Sequence, residues 1–248
     1  MKVFVTGSSS GIGLMLTEEL LRRGHIVWGV SRSRNLLENL ATKFPVESFF
    51  YSVCDILNND DVGKVCEEMC AKDFVPDVVV LNAGIYHPDL ENLYDHRKAI
   101  SVFSTNMYGA LVWVEQFLPL FLKRGSGQFI AISSILAFRP DTNSCSYPAS
   151  KAALSMAFRS FRLRYQRTKI KFKSIYFGPV ATLIIPRYAK AKKGLFVITT
   201  DRAARAIIRI IHSRHNTFYY PIVLCYIYRL TSWISDELFY KLTKRMKR

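Results

Sequence analysis

Lys2-Val3-Phe4-Val5-Thr6-Gly7-Ser8-Ser9-Ser10-Gly11-Ile12-Gly13-Leu14 is the stretch on which the fold turns. Residues 2–6 read as a short strand that stops at Thr6-Gly7. Leu14, Leu16, Leu20 and Leu21 then recur at helical spacing. The order is strand, glycine turn, helix. Glycines there let the backbone turn sharply and approach a pyrophosphate seated on the helix N-terminus. The spacing is G-x-x-x-G-x-G rather than G-x-G-x-x-G, and a plain turn is the competing reading. A position between a strand and a helix favours a nucleotide. Gly7, Ser9, Ser10, Gly11, Ile12 and Gly13 are therefore candidate cofactor contacts.

Outward from this unit, Gly24 ends the helix and a second strand runs over 25–30. Its end reads Ser31-Arg32-Ser33-Arg34, with no acid to hold a ribose 2′-hydroxyl. Arg32 and Arg34 suit a 2′-phosphate instead, which prefers NADP over NAD. The alternative is that they only begin an exposed helix over 34–43. A third strand, 47–53, leads to Asp55, which either accepts from an adenine amino group or caps a helix over 58–71. Asn58 serves equally well for the cap. Strand four, 77–81, is a continuous apolar run of the kind found in central parallel strands, and it ends in Asn82-Ala83-Gly84. One long helix is expected over 96–123, carrying Asn106 among apolar neighbours. A buried Asn needs hydrogen-bond partners, and local backbone bonding that kinks the helix is the bland option. Strand five, 128–132, ends in Ser133-Ser134.

Tyr147 and Lys151 follow at i,i+4, on one helical face. A free phenol titrates near ~10, and a cation within ~4–6 Å favours the phenolate. A Tyr so tuned can pass a proton at neutral pH, although a Tyr–Lys pair at this spacing is also common surface decoration. The helix continues to about 166 and into a basic run, Arg159, Arg162, Arg164, Arg167, Lys169, Lys171 and Lys173. Strand six spans 172–177, followed by Gly178-Pro179-Val180-Ala181-Thr182. Residues 183–199, with Arg187, Lys190, Lys192 and Lys193, read as a mobile lid. A helix over 200–212, capped by Thr200 with Asp201, and a strand over 217–221 complete the pattern.

The 248 residues suit one α/β domain over 1–221, with an aromatic, basic tail over 222–248 that either packs on it or is interfacial. Cys54, Cys66, Cys70, Cys145 and Cys225 form no metal-ligand pattern, and no metal site is expected. Charge is uneven. Residues 1–142 carry 13 Lys/Arg against 16 Asp/Glu, and 143–248 carry 22 against 3. Such polarity suggests an anionic partner, a membrane surface or an acidic carrier. Nucleic acid is disfavoured, because aromatic residues do not interleave with the charges as a stacking platform. The N-terminus opens on a strand, without a signal-peptide pattern, and no apolar stretch is long enough to span a bilayer. The expectation is a cytoplasmic protein, with peripheral contact to an anionic membrane through the tail.

Together, Thr6-Gly7-x3-Gly11-Ile12-Gly13, Asn82-Ala83-Gly84, Asn106, Ser134 and Tyr147-x3-Lys151 resemble the short-chain dehydrogenase/reductase family. The resemblance covers the chain to about residue 220. It implies a Rossmann-type, doubly wound, seven-stranded parallel sheet with helices on both faces, and a nicotinamide cofactor across the C-terminal strand edge. It implies that Tyr147 is the general acid in reduction and the base in oxidation. Lys151 bonds the nicotinamide ribose and tunes Tyr147, and Ser134 stabilises the developing alkoxide, with Ser133 its adjacent decoy. Asn106 holds a relay water, and Thr182 bonds the carboxamide. Asp55, Asn82, Ala83, Gly84 and Tyr147 itself complete the cofactor set.

Two departures stand out. Phe177-Gly178-Pro179 replaces the family's usual Pro-Gly after strand six, and Ser10 stands where some NADP-preferring members have a basic residue. The expected activity is NADPH-dependent reduction of a lipophilic ketone or aldehyde. Alternatives are a carrier- or coenzyme-A-linked 3-ketoacyl reductase and a non-catalytic NADP-binding module. A homo-oligomer, dimer or tetramer, through the two long helices is the further expectation.

Overall fold

Seven parallel strands form one sheet. The computed structural model describes residues 1–89, 94–182, 184 and 197–245, with side chains to 242. The strands are β1 (Lys2–Thr6), β2 (Ile26–Ser31), β3 (Phe49–Val53), β4 (Val78–Leu81), β5 (Gly127–Ser134), β6 (Ile170–Phe177) and β7 (Thr217–Tyr220), and they lie in the order β3-β2-β1-β4-β5-β6-β7. The helices are α1 (Gly11–Arg22), α2 (Arg34–Ala41), α3 (Asn59–Ala71), α4 (His96–Phe103), α5 (Gly109–Arg124), α6 (Ser146–Arg164), α7 (Thr200–His212), α8 (Ile222–Thr231) and α9 (Asp236–Arg245). This is the doubly wound parallel sheet expected from the sequence.

The pleat splits each strand between two cores. Val3, Val5, Val78 and Val80 turn to one face, against Leu16 and Leu20 of α1 and Ile207 and Ile211 of α7. Phe4, Val79, Phe129 and Phe172 turn to the other, against Trp113 and Phe117 of α5 and Phe158 of α6. With both faces covered, the central strands need apolar residues at every position. β1 pairs with β2 on one side and β4 on the other, so the chain order reverses there. An open parallel sheet binds its ligand in the crevice outside the strand C-termini at such a reversal.

The expected helix over 96–123 is two helices. α4 passes into a π-helical turn, Ser104–Tyr108, before α5 begins. The wider turn places Asn106 inside, fully buried, where it bonds to a distant segment rather than to its own helix. The cap of α7 is Thr199, not Thr200: its hydroxyl accepts from Arg202 N at 3.3 Å. Asn58 caps α3, accepting from Asp60 N and Asp61 N. The lid expected over 183–199 lies outside the described residues apart from Ile184 and 197–199, as do Arg187, Lys190, Lys192 and Lys193.

The basic run is not one solvent-facing patch. Arg162 donates to Phe172 O, Asn216 O and Thr217 Oγ1, tying α6 to β6 and β7. Lys173 is buried beneath the end of α7, and its Nζ donates to Ile210 O (2.7 Å), Ile211 O (3.1 Å) and Ser213 O (2.8 Å). Burial pushes its pKa down to about 8. The ammonium nonetheless satisfies carbonyls that a helix C-terminus would otherwise leave open. Lys173→Met leaves Ile211 O and Ser213 O orphaned, at ~1–3 kcal/mol each, while Ile210 O keeps Ser213 N at 3.2 Å, and the loss slightly outweighs the relief of removing a buried charge. The expected result is a net loss of roughly 1 kcal/mol in urea unfolding. An unchanged midpoint and slope would contradict it.

Candidate active site

The glycine turn closes on itself. Gly7 (φ +69°) and Gly11 (φ +55°) sit in the left-handed region that favours glycine. A Cβ at Gly13 would lie 2.1 Å from Gly7 O, so this turn excludes any larger residue there. Ser10 precedes α1 without spending its hydroxyl on a cap, and no acid stands in the first helical turn. A bare helix N-terminus without a competing carboxylate fits a pyrophosphate.

Thr6 binds this turn to the end of β4. Its hydroxyl accepts from Asn82 N and Ala83 N, both at 3.0 Å, while Asn82 Nδ2 donates to Thr6 O at 3.0 Å. Ser9 Oγ lies 2.5 Å from Ser31 Oγ, and Ser31 Oγ also accepts from Ser33 N. The segment carrying Arg32 is thereby held against the glycine turn, with Arg32 itself exposed. Arg34 begins α2 and faces Glu38 at 3.8 Å. Asp55 uses Oδ1 to accept from Leu57 N at 3.0 Å, closing a local turn ahead of α3.

Asn106 binds Ile85 twice, accepting from Ile85 N (2.8 Å) and donating to Ile85 O (3.0 Å). Its remaining N–H donates to Ser150 Oγ at 3.0 Å, and Ser150 Oγ donates to Tyr147 O at 2.8 Å. The π turn therefore fixes both the loop after β4 and the first turn of α6. Gly84 lies against this junction, where a Cβ would stand 3.1 Å from Asn106 Oδ1 and 3.5 Å from Lys151 Nζ.

Lys151 reaches under the sheet edge, and its Nζ donates to Ile132 O at 2.9 Å. It lies 5.8 Å from the centroid of the Tyr147 ring. Burial pushes the Lys151 pKa down to about 8. The Tyr147 ring packs edge-on against Tyr86, with centroids 5.3 Å apart. Ser134, at the end of β5, accepts from Leu136 N at 3.2 Å. Ser133 sits one pleat away, and its hydroxyl meets Ser155 Oγ at 2.8 Å, bolting β5 to α6.

These pieces enclose a cavity of about 700 Å³. Gly7, Ser10, Gly11 and Ile12 line it from one side, and Ser134, Tyr147 and Lys151 from another. Asn82, Ala83, Gly84 and Thr182 also line it. Arg32, Asp55 and Asn106 stand outside that lining, as do Ser9 and Gly13. The size suits a cofactor with a substrate.

Contributors without a site assignment from the sequence include Tyr86, Ser150, Leu224 and Tyr228. Ser150 lies inside the Tyr147–Lys151 interval, so its position was available. Leu224 and Tyr228 are four apart on α8 and line the cavity. Gly178 admits that helix, since a Cβ there would lie 3.0 Å from Leu224 Cδ2 and from Pro221 Cδ. Arg139 then locks the tail to the loop after β5. It donates to Ile234 O at 2.9 Å, pairs with Asp236 and lies 4.7 Å over the Phe239 ring.

A family model described as short chain dehydrogenase matches residues 1–194. A fatty acyl-CoA reductase from Acinetobacter baylyi is 29% identical over 217 residues, covering 85% of this chain and 72% of its own. A farnesol dehydrogenase from Aedes aegypti is 32% identical over 193 residues, covering 73% and 78%. Among solved structures, the closed form of a serine dehydrogenase complexed with NADP+ has a TM-score of 0.82 at 21% identity, covering 88% and 94%. A short-chain dehydrogenase from Sphingobium yanoikuyae in complex with NADPH has a TM-score of 0.80 at 22% identity, covering 99% and 95%. At these identities the structural matches speak for the fold.

Proposed function

The chain belongs to the short-chain dehydrogenase family and is an oxidoreductase of alcohol or carbonyl groups; from that premise we propose that it reduces a lipophilic carbonyl with NADPH. The observation that carries this reading is the meeting of Ser134, Tyr147 and Lys151 on one cavity that the glycine turn also lines.

The hydride is the chemistry that NADPH contributes when bound. Tyr147 donates the balancing proton from its hydroxyl to the carbonyl oxygen as the alcohol forms. The charged Lys151 ammonium favours the phenolate left behind. Ser134 donates a hydrogen bond to the same oxygen as negative charge develops there. Asn106 acts one step back, holding Ile85 and, through Ser150, the first turn of α6. A water held at Asn106 Oδ1 would link Lys151 to solvent. For the cofactor, the turn from Gly7 to Gly13 would hold the pyrophosphate, Lys151 the nicotinamide ribose, Thr182 the carboxamide and Asp55 the adenine, with Asn82, Ala83 and Gly84 letting the backbone come close.

Arg32 supports the choice of NADP, because no acid stands at the end of β2 to bind a bare ribose. Arg32→Glu is expected to raise the NADPH Michaelis constant roughly tenfold or more, the worth of one charge-assisted contact. NADH kinetics should hold steady or improve. Equal effects on both cofactors would exclude Arg32 as the discriminating residue.

Ile135, Leu136, Val180, Ile184 and Leu224 line the cavity and support a lipophilic substrate. Farnesol and fatty acyl chains, in the names of the two relatives, belong to the same apolar class. A carrier-linked substrate held by the basic run fits less well. Lys169 and Lys171 stand at the start of β6, roughly 20 Å from Phe177 at the cavity. On α5 and α6, Leu120, Leu122, Met156 and Leu163 are exposed, which supports a homo-oligomer through those helices. The setting we favour is cytoplasmic, with peripheral contact to membrane. A panel of aldehydes and ketones from short to long chain, run with NADPH and with NADH, tests the function. Turnover should rise with chain length and favour NADPH. Binding of NADPH with no turnover across the panel would favour a non-catalytic module.

A further inference from the structure

α8 is apolar on both sides of its axis. Leu224, Cys225 and Tyr228 face inward: Cys225 is fully buried, and the other two line the cavity. The opposite side presents Ile222 (62% exposed), Val223 (66%), Leu230 (65%) and, just beyond the helix, Trp233 (89%), with Tyr226 and Ile227 between them. A helix hydrophobic all round is ordinarily covered all round. The inner side is rigidly held, because Arg139 grips Ile234 and Asp236, and Phe239 of α9 packs edge-on against Tyr228 at 5.6 Å. The outer surface is therefore a fixed platform, not a loose tail.

Charge identifies what covers it. Residues 222–248 hold six Lys/Arg against two Asp/Glu, and one of those acids, Asp236, is spent on Arg139. A two-fold contact would set this patch against itself and bring together two tails that are each net positive in sequence. An anionic surface removes that conflict. Exposed Trp and aliphatic residues beside cations are the composition of a segment lying in a bilayer interface. No described helix is long and apolar enough to cross a membrane, so the contact is peripheral.

We propose that the outer face of α8 with Trp233 docks on an anionic lipid bilayer, and that an apolar substrate passes from the lipid into the cavity beside Leu224 and Tyr228. One helix then has lipid on one side and substrate on the other. The entry route rests on the reductase reading; the docking does not.

The test is flotation of the full-length protein with vesicles of phosphatidylcholine and phosphatidylglycerol at 70:30, and with phosphatidylcholine alone. Ile227→Ser, Leu230→Ser and Trp233→Ser are combined in one variant. The wild type should float with the anionic vesicles tenfold or more over the neutral ones, and the triple variant should lose that partitioning. With a long-chain aldehyde delivered in anionic vesicles, the variant should turn over severalfold more slowly. With a short, water-soluble aldehyde, both proteins should have the same kcat/KM. Equal flotation of the two proteins would overturn the docking. So would a vesicle-free dimer that the triple variant dissociates, which would make the face an interface between copies. Flotation needs no turnover, so its failure leaves the reductase reading intact, and an inactive protein that floats would fail only the latter.

Discussion

Tyr147→Phe is expected to lower kcat for carbonyl reduction by about 10²–10⁴-fold, the usual worth of a positioned acid. The substitution removes one oxygen. It keeps the ring that packs against Tyr86 at 5.3 Å, and it leaves Ser150 bonded to the residue's backbone carbonyl. The glycine turn lies across the cavity and is untouched, so NADPH affinity by fluorescence titration should scarcely move. Rate loss with intact binding isolates the proton transfer. A Tyr147→Phe enzyme with wild-type kcat would remove Tyr147 from the chemistry.

Lys151→Met carries the second large effect, and its signature is in the pH profile. Burial holds the Lys151 pKa at about 8, below its ordinary 10.5. The charged form favours phenolate on Tyr147, so wild-type reduction should fall as pH rises through about 8 in the free enzyme. Stability runs the other way. Between pH 8 and 10.5 the unfolded chain binds the extra proton, so raising pH across that window stabilises the fold. The charge costs the folded protein roughly 3 kcal/mol at neutral pH. Met removes that cost while orphaning one carbonyl, Ile132 O, at ~1–3 kcal/mol. Lys151→Met should therefore fold about as well as the wild type while losing roughly 10²-fold in kcat, with no alkaline limb near pH 8. Steady-state kinetics from pH 6 to 10, with urea melts at both ends, check both halves. An unchanged alkaline limb in the variant would assign that titration to another group.

The fold was readable because its strands are buried on both faces and end in small or polar residues where the ligand crevice opens. Thr6-Gly7, Asn82-Ala83-Gly84 and Ser134 mark three of those ends. Asn106 was readable as a polar residue among apolar ones, but the π turn around it was not, because its cause is Ile85 and Ser150, remote in sequence. Lys171 and Lys173 look alike in the chain. One is exposed and the other lies beneath the end of α7, a difference created by packing alone. Arg162, from the same basic run, is half-buried and braces α6 against β6 and β7. In the tail, an apolar pattern on all sides of α8 hid which residues face the cavity. Arg139, which fixes that choice, sits almost a hundred residues upstream of its partners.

The account rests on hydride transfer from NADPH to a carbonyl carbon in this cavity. The most direct measurement uses NADPH deuterated at the transferring C4 position with a long-chain aldehyde, followed by mass spectrometry of the product. One deuterium on the carbinol carbon of the alcohol, absent in the Tyr147→Phe reaction over the same interval, is the predicted result. Tight NADPH binding with no deuterated alcohol from any aldehyde or ketone supplied would contradict it.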